Sequence, residues 1–114
     1  TRALVTVTVT GPVIIYSDVL DGPARTTLSA AQPIYGRITG SGPNTEACTE
    51  AQGAGVCGTP SNWATFPANG WTFDGTTWRA TISAAAFPAG TYVSYARNTA
   101  DGSNAAPVTI VLTP

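Results

Sequence analysis

Histidine, lysine and methionine are absent from this 114-residue chain, and its charged side chains are only five arginines and six carboxylates. Without histidine or lysine there is no Ser-His-Asp triad, Cys-His pair, Ser-Lys dyad or Schiff-base lysine. Carboxylate chemistry is all that is left. Of Asp18, Asp21, Glu46, Glu50, Asp74 and Asp101, four fall in apparent turns, where Asp is favoured because it bonds nearby backbone. A glycosidase-type pair is therefore not expected, and the chain reads as a protein without catalytic residues. Structural zinc takes about four Cys or His ligands, which two cysteines and no histidine cannot supply. Calcium takes about six to eight oxygens, usually from carboxylates close in sequence. The nearest groupings, Asp18 with Asp21 and Asp101 with Asn104, read more simply as turns, so no metal and no cofactor are expected.

Long apolar runs are missing too. None approaches the roughly 18 residues of a membrane-crossing helix, so no membrane insertion is expected. The arginines, Arg2, Arg25, Arg37, Arg79 and Arg97, are scattered and the net charge is -1. Nothing there draws the chain to nucleic acid or to an anionic bilayer. The low charge is matched by 43% hydrophobic residues, well away from the composition of disordered chains. A single domain, residues 1–114, folding alone as a monomer, is the expectation. A start at Thr1-Arg2-Ala3, with no Met and no charged stretch leading into an apolar run, reads as a mature secreted protein or a module of a longer one.

Cys48 and Cys57 enclose Thr49–Val56, rich in Gly and Ala, where a small covalent ring closes easily. They read as a disulfide, which places the chain outside the cell or at its surface, with the periplasm as the other oxidising compartment. A ring of this size stabilises by about 2.5–3 kcal/mol through loop closure. Gly53-Ala54-Gly55-Val56-Cys57-Gly58 also spells G-x-G-x-x-G, with Asp74 about 20 residues further on, but dinucleotide binding needs a strand before the motif and a helix after it. Thr59-Pro60-Ser61-Asn62 continues a loop instead.

Period-two patterning marks the rest as extended. Leu4–Thr10 alternates Val5, Val7 and Val9 with threonines, Val13–Tyr16 is a short extended run, and Ile34 and Ile38 share a face in Pro33–Ile38. From about residue 40 to 70 the chain is rich in Gly, Pro, Asn, Ser and Ala, with only Trp63-Ala64-Thr65-Phe66 suggesting a strand. A long loop that holds a disulfide is where specificity is expected. Trp71-Thr72-Phe73, the turn Asp74-Gly75-Thr76-Thr77 and Trp78–Ile82 read as a hairpin, because Asp-Gly supplies the left-handed backbone of a tight turn. Thr91–Arg97 and Pro107–Leu112 are two more strands, joined by a second Asp-Gly turn at Asp101-Gly102. Ser83–Ala86 is too short for more than one helical turn.

Such a string of short strands predicts an all-β antiparallel sandwich of about seven strands with one long disulfide-bearing loop. Phe87-Pro88-Ala89-Gly90-Thr91-Tyr92, with the wider run from Asp74 to Val108, resembles bacterial immunoglobulin-like and fibronectin type III-like modules of secreted and surface proteins. The resemblance implies that Tyr92 is a corner tyrosine, its hydroxyl bonding upstream backbone. It also implies a non-catalytic spacer, adhesin-type or enzyme-appended module, with adjacent domains of a parent protein or a surface partner as its contacts. The Cys48–Cys57 spacing is too short for the inter-sheet bridge of antibody domains.

Aromatic residues carry the alternative, a carbohydrate-binding module, because sugar rings stack on exposed aromatic planes. Trp63 in the long loop is the foremost candidate, with Tyr35 and Phe66 beside it, and a polysaccharide is then the partner. The expected core comprises Val5, Val7, Val9, Ile34, Ile38, Trp71, Phe73, Trp78, Ile82, Tyr92, Ala96, Val108, Ile110 and Leu112. With Tyr92 inward, alternation puts Ser94 and Ala96 inside and Val93, Tyr95 and Arg97 in one outer row. Tyr and Arg are enriched in interface hot spots, so Tyr95 and Arg97 are candidate docking residues. A slip of one residue would instead bury Val93 and Tyr95.

Overall fold

The computed structural model describes residues 11–114, so the expected strand at 4–10 and the core positions Val5, Val7 and Val9 lie outside the described residues. The described chain is all-β. It forms nine strands: β1 Val13–Ser17, β2 Thr27–Ser29, β3 Ile34–Thr39, β4 Thr45–Ala51, β5 Ala64–Thr65, β6 Thr72–Phe73, β7 Thr77–Ile82, β8 Gly90–Asn98 and β9 Val108–Thr113. They make a four-stranded sheet, ordered β1-β3-β7-β6, and a five-stranded sheet, ordered β2-β9-β8-β4-β5. Three strands of two or three residues raise the number above the seven expected.

Alternation sets the faces. In β3, Ile34, Gly36 and Ile38 are buried while Tyr35, Arg37 and Thr39 are half-buried. In β8, Ser94 and Ala96 are 0% and 1% exposed, flanked by half-buried Val93, Tyr95 and Arg97, so the register does not slip. Of the expected core positions, Ile34, Ile38, Trp71, Trp78, Ala96, Ile110 and Leu112 are buried, and Phe73, Ile82, Tyr92 and Val108 pack partly buried against them. Ile14, Tyr16, Leu28, Phe66, Ala80 and Ala105 complete the same cluster.

The hairpin of β6 and β7 forms as expected, with Phe73 opposite Trp78. Asp74 Oδ1 accepts the Thr76 and Thr77 backbone N–H groups, both at 2.8 Å, and Gly75 takes a φ of 107° that side-chain-bearing residues avoid. Two expectations are corrected. The stretch 40–70 is not one loop, because β4 runs through it between β8 and β5. Its inward positions are Thr45, Ala47 and Thr49, which face Asn98, Ala96 and Ser94 of β8 and are too small to announce a core strand. The sheets are also not wholly antiparallel. After β1 the chain crosses to the other sheet without reversing, so β2 pairs with β9 in parallel.

A polar link crosses the core. The Tyr16 hydroxyl of β1 lies 2.8 Å from Ser94 Oγ of β8, which lies 2.7 Å from Thr49 Oγ1 of β4. A phenol buried at 4% exposure needs such a partner, since an unmet buried hydroxyl is costly. Burial also pushes the Tyr16 pKa up. Gly36 makes room beside it: a Cβ there would sit 2.6 Å from the Trp71 ring and 3.2 Å from the Tyr16 ring.

Candidate functional site

The outer face of the five-stranded sheet gathers the chemistry. On β4 the outward residues are Glu46, Cys48 and Glu50, and the antiparallel register sets them opposite Arg97, Tyr95 and Val93 of β8. Cys48 bonds Cys57, as expected from the sequence. That bond draws the segment after β4 back across its own strand, through short 3-10 turns at Val56–Gly58 and Pro60–Asn62. Asn62 Nδ2 donates to the Val56 carbonyl at 3.0 Å and fastens the two turns together. No α-helix follows the G-x-G-x-x-G run, which is part of the ring.

Trp63 emerges from this ring onto the face. Its indole N–H donates to the Cys57 carbonyl at 2.7 Å, the Arg97 guanidinium carbon stands 4.3 Å above its ring centre, and the Tyr95 ring lies 6.0 Å away, tilted by 44°. Arg97 is fixed in turn, its Nε donating to Glu46 Oε2 at 3.0 Å with side chains only 29% and 21% exposed. Glu50 Oε2 accepts the Cys57 N–H at 3.0 Å, and the Tyr95 hydroxyl lies 3.5 Å from its other oxygen. A cation over an indole contributes about 0.5–1 kcal/mol at exposed sites and about 2 kcal/mol or more once desolvated. Half-burial puts this pair between those limits.

Three of the five sequence candidates, Trp63, Tyr95 and Arg97, thus meet in one patch. The other two do not join it. Tyr35 stands on β3 in the other sheet, between Ser17 and Thr81. Phe66 is 6% exposed, stacked on Trp71 at 5.2 Å and edge-on to Trp78 at 5.1 Å, so it has no face to offer a sugar. Its place in the expected loop site is corrected: as the residue after β5, with its N–H bonded to the Thr45 carbonyl, it turns into the core. Trp63 is half-buried, not freely exposed. Glu46 and Glu50 were missed. Their signal is the alternation of Glu46, Cys48 and Glu50 against Thr45, Ala47 and Thr49, which the Gly- and Ala-rich surroundings mask.

A second charged cluster lies on the outer face of the four-stranded sheet. Arg37 and Arg79 are directly opposed across β3 and β7, a repulsive pairing. Asp21 relieves it, with Oδ1 2.6 Å from Arg79 Nε and 3.7 Å from Arg37 Nη1. Arg79 also pairs with Asp74. The hydrogen bond from Arg79 holds the Asp21 carboxyl below its usual value, while the Thr76 and Thr77 N–H groups and Arg79 hold Asp74 well below the carboxylate range. These ion pairs are exposed and half-cancelled by solvent, so they order the face more than they stabilise the fold.

No protein-family model, curated protein or solved structure matches the chain.

Proposed function

We propose that the chain is a non-catalytic immunoglobulin-like module of a bacterial extracellular or cell-surface protein, and that it engages an adjacent domain through the Trp63–Tyr95–Arg97 face. Strand order supports the fold reading. With β1 and β2 as two halves of strand A and the two-residue β5 as an addition C′ after C, the remaining strands take the letters B to G and the sheets read A-B-E-D and A′-G-F-C-C′, an immunoglobulin-type arrangement. Tyr92 supports it too, because its hydroxyl donates to the Pro88 carbonyl at 2.8 Å in the manner of a corner tyrosine. Ser94, two residues later, occupies the place of the inter-sheet cysteine of antibody domains. Its hydrogen bond to Tyr16 spans the sheets there instead. The disulfide, together with the lack among the described residues of any helix long and apolar enough to cross a membrane, is compatible with an extracellular location.

The observation that carries the functional reading is the prior fixing of the patch. Trp63 and Arg97 are each held by a hydrogen bond and by one another, and a hot-spot side chain already ordered loses little entropy on binding. The test is affinity, by biolayer interferometry, between this chain and the rest of its encoded polypeptide. Trp63→Ala and Arg97→Ala should each weaken binding at least about tenfold, equivalent to about 1.4 kcal/mol. Unchanged affinity in both variants contradicts the reading.

Carbohydrate binding is the second reading, favoured by one observation: two carboxylates, Glu46 and Glu50, border the half-exposed indole, and sugar hydroxyls bond such groups. Retardation in gels containing soluble polysaccharides, lost on Trp63→Ala, would select it over protein docking.

A further inference from the structure

Between the two sheets, on the side edged by β5 and β6, lies a cleft of about 450 Å³. Its cause is the shortness of those edge strands. Each has two residues, and β6 pairs with β7 only at Arg79 and Trp78. No described strand continues beside Ala80–Ile82 on that side. Tyr16, Ile34, Phe66, Trp71, Ile110 and Leu112 line the interior of the cleft, and Val56 and Phe87, 46% and 39% exposed, stand at its rim. An apolar trough beside an open strand edge fits an added strand whose alternate side chains are apolar.

The chain contains such a segment outside the described residues. Leu4-Val5-Thr6-Val7-Thr8-Val9-Thr10, when extended, places three valines on one face. The cleft of the same molecule is beyond the reach of Val7 and Val9. Gly11 packs near Gly40 and Asn104, at the end of the domain where Val13, Thr39 and Thr77 align. The cleft opens toward the opposite end, by Ile34, Ile82 and Phe87, and on the side of the sheet away from β1. From Gly11 that is about 10 Å across, for two strand spacings, and about 17 Å along, for five residues of strand. Val9, two residues from Gly11, reaches about 7 Å, and Val7 about 14 Å. Seating all three valines therefore requires a different molecule.

We propose that residues 4–10 of one copy enter the inter-sheet cleft of a second copy beside β7, joining modules head to tail. The donor segment leaves one end of the domain and the acceptor cleft opens toward the other, so the contact is heterologous and copies add in a row. This replaces the monomer expected from the sequence, and it is independent of the Trp63 face.

The test is light scattering with size-exclusion chromatography on the full chain, up to about 100 μM, a range that captures weak pairing. The wild type should associate with rising concentration. Val7→Asp, which spoils the donor, and Ala86→Arg, which blocks the exposed rim of the acceptor, should each stay monomeric. Mixed together they should form a one-to-one dimer and nothing larger, because only one donor and one acceptor remain intact. A synthetic peptide of residues 4–10 should bind the Val7→Asp chain and dissociate wild-type assemblies, a readout that does not depend on the Ala86→Arg variant folding. A wild type that stays monomeric overturns the proposal. So does association of Ala86→Arg like wild type, or a peptide that leaves the assemblies unchanged.

Discussion

Replacing Ser94 by alanine removes one oxygen from the centre of the core, and the position of Tyr16 determines the consequence. The Tyr16 hydroxyl is 2.8 Å from Ser94 Oγ in a site only 4% exposed, with Thr49 as the further hydroxyl beside it. Ser94→Ala removes its close partner and leaves a buried phenol poorly bonded, at about 1–3 kcal/mol. Thr49 loses the same bond but sits at an exposed position and can turn to water. Tyr16→Phe leaves Ser94 bonded to Thr49 and should cost about 1 kcal/mol, the net worth of an ordinary hydrogen bond. Simple addition gives about 3 kcal/mol for the double variant. Because removing both partners strands nothing, the double variant should instead lose about 1.5 kcal/mol, a coupling of about 1.5 kcal/mol. Urea unfolding of the four proteins measures this, and in thermal unfolding each kcal/mol corresponds to about 4 °C for a chain of this size. Additivity within about 0.3 kcal/mol would refute the reasoning. The same phenol has an alkaline signature. Its pKa is raised by burial, so above about pH 10 the folded state binds the proton more tightly than the unfolded one, and stability falls as pH rises. Tyr16→Phe should flatten that decline.

Three further outcomes follow from the geometry. Replacing both cysteines by serine should cost about 2.5 kcal/mol through loop closure over nine residues of separation, and the fluorescence of Trp63 should shift to the red as the ring releases it. Phe66→Ala should cost about 3–5 kcal/mol, the range for a buried aromatic, whereas Tyr35→Ala on an outer face should cost about 1 kcal/mol; urea denaturation compares them. Asp74 has a folded-state pKa below its unfolded value, so its contribution is present above about pH 4 and is lost as pH falls toward the folded value. Asp74→Asn should therefore make acid unfolding below pH 4 less steep, as followed by circular dichroism.

Strands with large β-branched and aromatic residues were legible in the sequence. Ile34 and Ile38 in β3, Trp78 in β7, and Ile110 with Leu112 in β9 alternate clearly, and the Asp74-Gly75 turn fixes its hairpin through the chemistry of one side chain. The strand hidden from that reading is β4. Its inward Thr45, Ala47 and Thr49 carry the right period with side chains too small to register as core. Half of the candidate site was hidden with it: Tyr95 and Arg97 follow from the alternation of β8, while Glu46 and Glu50 become visible only once β4 is placed beside them. Phe66 was misplaced for the same reason, since the loop it was assigned to ends at a paired β5. That the ring would lay Trp63 on Arg97 depends on a closure between non-local residues, which no local pattern records.

Hydroxyl-radical footprinting, with Trp63 and Tyr95 as reporters, compares the isolated chain with the same residues in the longer protein that the proposed function calls for, and tests the docking face most directly. If the Trp63–Tyr95–Arg97 face engages an adjacent domain, both rings should be oxidised in the isolated chain and protected several-fold in the longer protein, while Tyr35 on the other sheet is oxidised equally in both. Equal oxidation of Trp63 and Tyr95 in the two forms would contradict the account.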